Sequence, residues 1–158
     1  MKISYPTLAS LMIAALGLGV ASSSASAEDV SSQFTYVRLY CTPDNQSHFA
    51  DVTVDLTKEN FAPPAAPIAI GGNQQVSRTF IAGFEPNWGA SDVKTGLNHP
   101  TPAVQVFTVL SGNFSVTATD GETRHLQPGD VVHLEDVSPC KGHITVVGDK
   151  PGQLLFTR

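Results

Sequence analysis

Five histidines and two cysteines are the residues of this 158-residue sequence that are best suited to chemistry. Neutral imidazoles bind divalent transition metals and exchange protons near neutral pH. Cysteines pair in exported proteins and react or bind metals in other compartments. Which of these side chains can meet depends on the strands and turns that carry them.

His48 opens a run of alternating residues that ends at Leu56. Apolar side chains share the parity of His48, whereas Asp51, Thr53 and Asp55 occupy the other positions. Because side chains alternate across a β-strand, the run predicts a strand with His48 on its buried face.

Gln105 lies in a second run of this kind, Ala103–Leu110, which is rich in β-forming residues. It shares its parity with Phe107 and Val109, so the three side chains are predicted to point into the core together. An inward amide can hydrogen-bond a ligand or bind a metal weakly.

Cys41 and Cys140 are the two cysteines. In an exported chain an even number of cysteines predicts a disulfide. The bridge would close roughly a hundred residues, for which the loop-entropy argument gives up to about 4.7 kcal/mol. The alternative is a pair of buried, unpaired thiols.

Residues 1–27 have the pattern of a removable export signal. Lys2 precedes the apolar run Leu8–Val20, and the small residues Ala25-Ser26-Ala27 form a cleavage site. The run is too short and too interrupted for a membrane span of about 20 apolar residues. We therefore expect a mature chain of residues 28–158 that is periplasmic or secreted, with no membrane association after cleavage.

The charge pattern argues against two classes of partner. The net charge is −5, the charged fraction is 15%, and no basic run is present. Nucleic acids and anionic membranes are bound by clustered lysine and arginine, so neither is an expected partner. The length of the mature chain predicts one domain with its own core.

From Gln33 onward, short alternating runs are separated by turn residues, which is typical of an all-β barrel or sandwich. Asp120-Gly121 and Pro128-Gly129-Asp130 are the strongest turn signals. The segment 83–102, which carries Trp88, is predicted to be a long loop. No helical stripe is present in the pattern.

Two motifs in the second half of the chain resemble those of cupins. The first runs from His99-Pro100-Thr101 through Gln105 to Gly112, and the second is Leu126–Val132, with Gly142-His143 as the histidine that follows. The chain is similar to small single-domain bacterial cupins, an exported and poorly characterised group. This resemblance implies a double-stranded β-helix, that is, a jelly-roll barrel.

The resemblance also implies a metal centre, with departures from the family pattern. His99 and His143 would be ligands at one barrel mouth, to which strand phase adds His48 and position adds Gln105. Thr101 stands where the family has a second histidine, and Gln105 stands where it has glutamate. The cofactor implied is one divalent transition metal, Fe, Mn, Ni or Zn. The alternative is a hydrogen-bonded polar cluster of His48, His99 and Gln105 without metal.

Three functions remain open from the sequence. The first is a metal-dependent enzyme of the oxygenase or isomerase kind that acts on a small molecule. The second is a non-catalytic module that binds a small ligand among Phe107, Val109, Trp88 and Thr101. The third is a structural or assembly protein with a degenerate metal site, and a homodimer is expected because cupins often pair through edge strands.

Glu135 and Asp136 are candidates for a general acid or base. Adjacent residues of a strand face opposite ways, so at most one of them can reach a cavity.

Overall fold

The computed structural model describes residues 32–72 and 74–158, so the predicted signal peptide lies outside the described residues. Strands dominate these ranges. The elements are β1 Gln33–Cys41, β2 Ser47–Asp55, β3 Thr57–Glu59, β4 Ile68–Ile70, β5 Thr79–Phe84, α1 Ala90–Thr95, β6 Gln105–Ser111, β7 Phe114–Ala118, β8 Thr123–Leu126, β9 Val131–Leu134, β10 His143–Val147 and β11 Gly152–Thr157.

Two sheets form the body of the protein. The larger has six strands in the order β2-β1-β9-β6-β11-β5, and the smaller has three in the order β10-β7-β8. Most neighbours are antiparallel, whereas β1 runs parallel to β9. The predicted all-β architecture is confirmed, and the hairpin at Asp120-Gly121 joins β7 to β8 as expected.

The core contains side chains from both sheets. Leu39 and Val132 come from the large sheet, Phe114 and Val116 come from the small one, and all four are fully buried. Burying a side chain of this size stabilises a fold by roughly 1.5–3 kcal/mol. Strand alternation alone accounts for these positions.

The predicted loop 83–102 contains a short helix, α1, which is a correction to the expectation that no helix is present. Gly89 and Gly96 bracket it, each with a positive φ. Six residues are too few to give a helical period, so the sequence pattern did not show it. No helix in the described ranges has the length and hydropathy needed to cross a membrane.

The strand β2 differs from the predicted phase. Ser47 and Phe49 are the buried residues, and His48 lies on the opposite face. On that outer face Val54 joins Phe34 and Tyr36 in a surface groove. The apolar residues of β2 that alternate with its acidic ones therefore face a groove outside the barrel. For this reason the alternation predicted the wrong face of the sheet for His48.

Candidate functional site

His99 and His143 are direct neighbours across two antiparallel segments. The amide of His99 donates to the carbonyl of His143 at 2.9 Å, and the amide of His143 donates back at 3.0 Å. Their ring centroids lie 4.6 Å apart at an angle of 61°. The structure therefore brings these two histidines together, as their motif positions predict.

Gly142 makes this close approach possible. A Cβ at this position would collide with the backbone carbonyl of His99, and its φ is +86°. Only glycine combines that conformation with contact between two backbones. The glycine before His143 is thus a requirement of the site's geometry.

Asp136 forms a hydrogen bond with the imidazole of His143. Its Oδ2 lies 2.6 Å from Nδ1 of His143, and both side chains are buried. The neighbouring Glu135 points outward to a bidentate pair with Arg38. Of the two adjacent carboxylates, which follow the end of β9 at Leu134, only Asp136 is directed inward.

The loop between Asp136 and His143 is fixed at several points. Cys140 forms a disulfide with Cys41 at the end of β1, with Cα atoms 5.9 Å apart. The hydroxyl of Ser47 donates to the carbonyl of Gly142 at 2.6 Å. The predicted disulfide is therefore present, and it anchors the segment that carries the Asp136–His143 pair.

The two histidines line a cavity of about 100 Å³ inside the barrel. Its polar side is formed by His99, Thr101, Gln105, His143 and Thr145. Its apolar side is formed by Phe84, Trp88, Pro102, Phe107, Leu134, Leu154 and Phe156. The apolar side therefore includes four aromatic rings, whereas no carboxylate, lysine or arginine is among the described residues that line the cavity.

Three polar atoms of cavity-lining residues have no hydrogen-bond partner within residues 32–72 and 74–158. They are Nε2 of His99, Oγ1 of Thr101 and Oε1 of Gln105, and all are buried. An unsatisfied buried polar group costs about 1–3 kcal/mol. Three in one cavity indicate that this space is built to receive polar atoms of a ligand or of water.

Burial lowers the pKa of His99 below its ordinary value, and the positive charge that His143 can carry lowers it further. Asp136 and Asp92 oppose this effect more weakly. His99 is consequently a neutral imidazole at neutral pH, with one nitrogen that can donate a hydrogen bond and one that can accept.

Trp88 lines the cavity from the long loop. The residue is 41% exposed, and its ring centroid lies 5.1 Å from that of Phe84, edge-on, and 6.5 Å from that of His99. The amide of Val147 donates to its carbonyl at 3.0 Å, which joins the loop to β10. The long loop therefore supplies one wall of the site.

The structure brings most of the predicted site residues together and leaves two apart. Thr101, Gln105, Phe107 and Trp88 line the cavity with the two histidines. Val109 is buried in the core and does not line it. His48 lies on the outside of β2, with 31% of its side chain exposed.

The ring nitrogens of His48 are already engaged. Nδ1 lies 2.7 Å from a carboxylate oxygen of Asp120, and Nε2 lies 3.1 Å from the hydroxyl of Thr42. His48 therefore belongs neither to the predicted three-histidine set nor to a polar cluster with His99 and Gln105.

The donor set at the cavity does not fit the implied metal. Within residues 32–72 and 74–158 no three histidine, cysteine, aspartate or glutamate side chains are grouped to hold an ion. His99 and His143 would be supplemented by the amide of Gln105 and the hydroxyl of Thr101, which are weak ligands for a transition metal. The geometry supports a polar ligand pocket instead.

Asp136 is a site residue whose role the sequence does not specify. The sequence offers Glu135 and Asp136 together as candidate acids or bases and does not indicate which of them faces inward. The contact of Asp136 with His143 depends on the loop that returns the chain through Cys140.

The fold and the site define a small all-β barrel with a partly aromatic cavity. Residues 87–150 match the family model described as EutQ-like cupin domain. Both motifs that resemble those of cupins lie within this stretch, and the match and the strand-rich fold are consistent with a small cupin. None of the curated proteins matches it.

Two solved structures resemble the chain distantly. The crystal structure of protein NMB1881 from Neisseria meningitidis is 13% identical, with 54% of this chain and 76% of that one covered and a TM-score of 0.37. The crystal structure of a putative ethanolamine utilization protein Q from Salmonella typhimurium is 14% identical, with 80% of this chain and 96% of that one covered and a TM-score of 0.28.

Proposed function

We propose that this protein binds a small uncharged molecule, with one polar end and an apolar body, in the cavity beside Trp88. The observation that carries the proposal is the group of unpartnered atoms on His99, Thr101 and Gln105, all on residues that line one cavity. A ligand that satisfied them would supply hydrogen bonds that no described residue provides.

The size of the cavity restricts the ligand. A volume of about 100 Å³ is somewhat smaller than an apolar cavity of about 150 Å³ that binds benzene. This is suited to a molecule of about three carbons. Because no carboxylate, lysine or arginine lines the cavity among the described residues, an ion would enter without a permanent counter-charge and at high desolvation cost.

A panel of three-carbon compounds tests the proposal. Propan-1-ol, propionamide and propane-1,2-diol are titrated into the oxidised mature chain, beside the charged analogues propionate and propylammonium, and NMR shifts of the Trp88 indole are followed. We expect the neutral compounds to bind and the charged ones to bind at least about tenfold more weakly, from the cost of an unpaired buried charge.

Thr101→Val is the matched variant, since it removes the unpartnered hydroxyl and keeps the shape. It should weaken binding by about 5- to 20-fold, the equivalent of one hydrogen bond. Thr123→Val, at an exposed position of β8, is the control and should change nothing. Equal binding of neutral and charged compounds, or shifts that Thr101→Val leaves intact, would contradict the proposal.

Export is proposed together with this function. The support is the pattern of residues 1–27 and the disulfide between Cys41 and Cys140, since such bridges persist in oxidising compartments. Mass spectrometry of periplasmic or secreted material should give a chain that begins at Glu28. Material from that compartment that still begins at Met1 would contradict cleavage.

We also propose that two copies pair through β5. This strand is at the edge of the large sheet, its residues Thr79–Phe84 carry no charge, and Ile81 is 64% exposed. Uncharged edge strands tend to pair with further strands. Sedimentation should give a dimer, and Ile81→Lys should give a monomer. A wild-type monomer at high micromolar concentration would refute this.

A further inference from the structure

We infer that Asp136, His143 and His99 form an acid–base site that removes and returns a proton on a small carbonyl compound held in the cavity. The inference rests on the proposed function, because the compound must first bind beside these residues. It adds an activity to what is otherwise a binding pocket.

Asp136 fixes the proton arrangement of His143. A carboxylate accepts, so the ring donates from Nδ1 to Oδ2 across the 2.6 Å contact, and Nε2 is left with a lone pair. The ring lines the cavity, where Nε2 can act as the acceptor. A buried carboxylate in this position orients an imidazole and stabilises the imidazolium that forms when it takes up a proton.

His99 supplies the complementary donor. Its ring centroid is 4.6 Å from that of His143, and its Nε2 is buried without a partner among the described residues. Desolvation keeps the ring neutral, and the groups whose charge acts on it are His143 once it is protonated, Asp136 from the adjacent loop and Asp92 from α1. A fixed neutral donor of this kind stabilises an oxyanion without first losing a proton.

The step balances without any further reactant. The carbon next to the carbonyl loses its proton to Nε2 of His143, and the electron pair of that C–H bond forms a carbon–carbon double bond. The carbonyl π pair moves to oxygen, which accepts hydrogen bonds from His99 and Thr101. Reversal returns a proton to carbon, so nothing is oxidised or reduced.

Deuterium exchange provides the test because it requires no knowledge of the physiological compound. The oxidised mature chain is incubated with hydroxyacetone in deuterated buffer, and loss of the proton signals next to the carbonyl is followed by NMR. We expect exchange above the buffer rate that falls at least about 100-fold in His143→Gln, as for loss of a general base. His125→Gln, an exposed position, is the control.

Asp136→Asn distinguishes positioning from structure. It should lower the exchange rate with little change in hydroxyacetone affinity, and the ¹⁵N shifts of His143 should report a changed tautomer. If circular dichroism shows that either variant does not fold, His99→Gln provides a second test. An amide still donates a hydrogen bond, so His99→Gln should keep exchange above the buffer rate and below that of the wild type, and a rate equal to the wild type would contradict the role of His99.

Propane-1,2-diol separates the two proposals, since it matches hydroxyacetone in size but has no acidic C–H bond. If both compounds bind and exchange does not exceed that of His143→Gln, the acid–base inference is overturned and the binding function stands. The same conclusion holds if only the diol binds. If neither binds, the proposed function fails and the inference fails with it.

Discussion

Asp136 Oδ2 lies 2.6 Å from Nδ1 of His143, and these two residues bound the short loop whose Cys140 is tied to β1. One covalent bond therefore restrains the segment that determines the orientation of the buried imidazole. The hydrogen bond from Ser47 to the carbonyl of Gly142 fixes the same segment from β2. Stability and site geometry are consequently linked in this part of the molecule, and the first two predictions concern that link.

Removing the disulfide should destabilise the protein. The bridge spans a sequence separation of 99 residues, and removing a native disulfide of this kind typically costs about 2–5 kcal/mol. Cys41→Ser with Cys140→Ser should lower the urea midpoint accordingly and broaden the signals of His143. Thiol titration of the unreduced, denatured wild type should find no free sulfhydryl, and two per chain would refute the bridge.

Gly142→Ala should lower the free energy of unfolding more than Gly121→Ala does. Both glycines have positive φ, but an added Cβ meets the His99 carbonyl at position 142 and open space at position 121. Backbone strain of roughly 1–3 kcal/mol is common to both variants. The additional loss of stability in Gly142→Ala therefore measures the collision of the added Cβ with His99. Urea unfolding of the two variants gives this difference, and equal costs would mean that the His99–His143 bridge relaxes freely.

Gln105→Leu should stabilise the free protein. Oε1 of Gln105 is buried without a partner, and an apolar side chain of similar length removes a penalty of about 1–3 kcal/mol. The same change should weaken binding of propionamide. Gln153→Leu, at an exposed position of β11, serves as the comparison, and a lower urea midpoint for Gln105→Leu would show that the amide is satisfied in solution.

Acid should destabilise the fold through His99 and His133. Burial lowers the pKa of both imidazoles below the ordinary 6.5. As the pH falls below that value, the unfolded chain takes up protons that the folded chain does not, so the free energy of unfolding decreases until the pH passes the folded pKa. Above 6.5 both states are neutral at these positions and the penalty is absent.

Urea midpoints measured between pH 7.5 and pH 5 test this dependence. The loss of stability should be smaller in His99→Gln and in His133→Gln than in the wild type, because each variant removes one of the responsible groups. His125→Gln, which changes an exposed residue, should follow the wild type. Identical slopes for all four proteins would contradict the assignment.

Local sequence patterns determined the barrel and one face of the site. Alternation in β6 put Gln105 and Phe107 on the buried side, as observed. The turn at Gly121 requires a positive φ that few other residues adopt, so the β7–β8 hairpin could be predicted from the sequence. These features depend on neighbours along one strand or turn, so the sequence contains their physical cause.

Tertiary structure alone decided the contacts that give the site its chemistry. His48 has the parity of an apolar face, but only packing shows that this face meets an outer groove rather than the barrel. Asp136 reaches His143 because the disulfide and Ser47 return the chain to that point. Alternation specifies two faces of a strand, and the choice between them depends on which surface the rest of the chain covers.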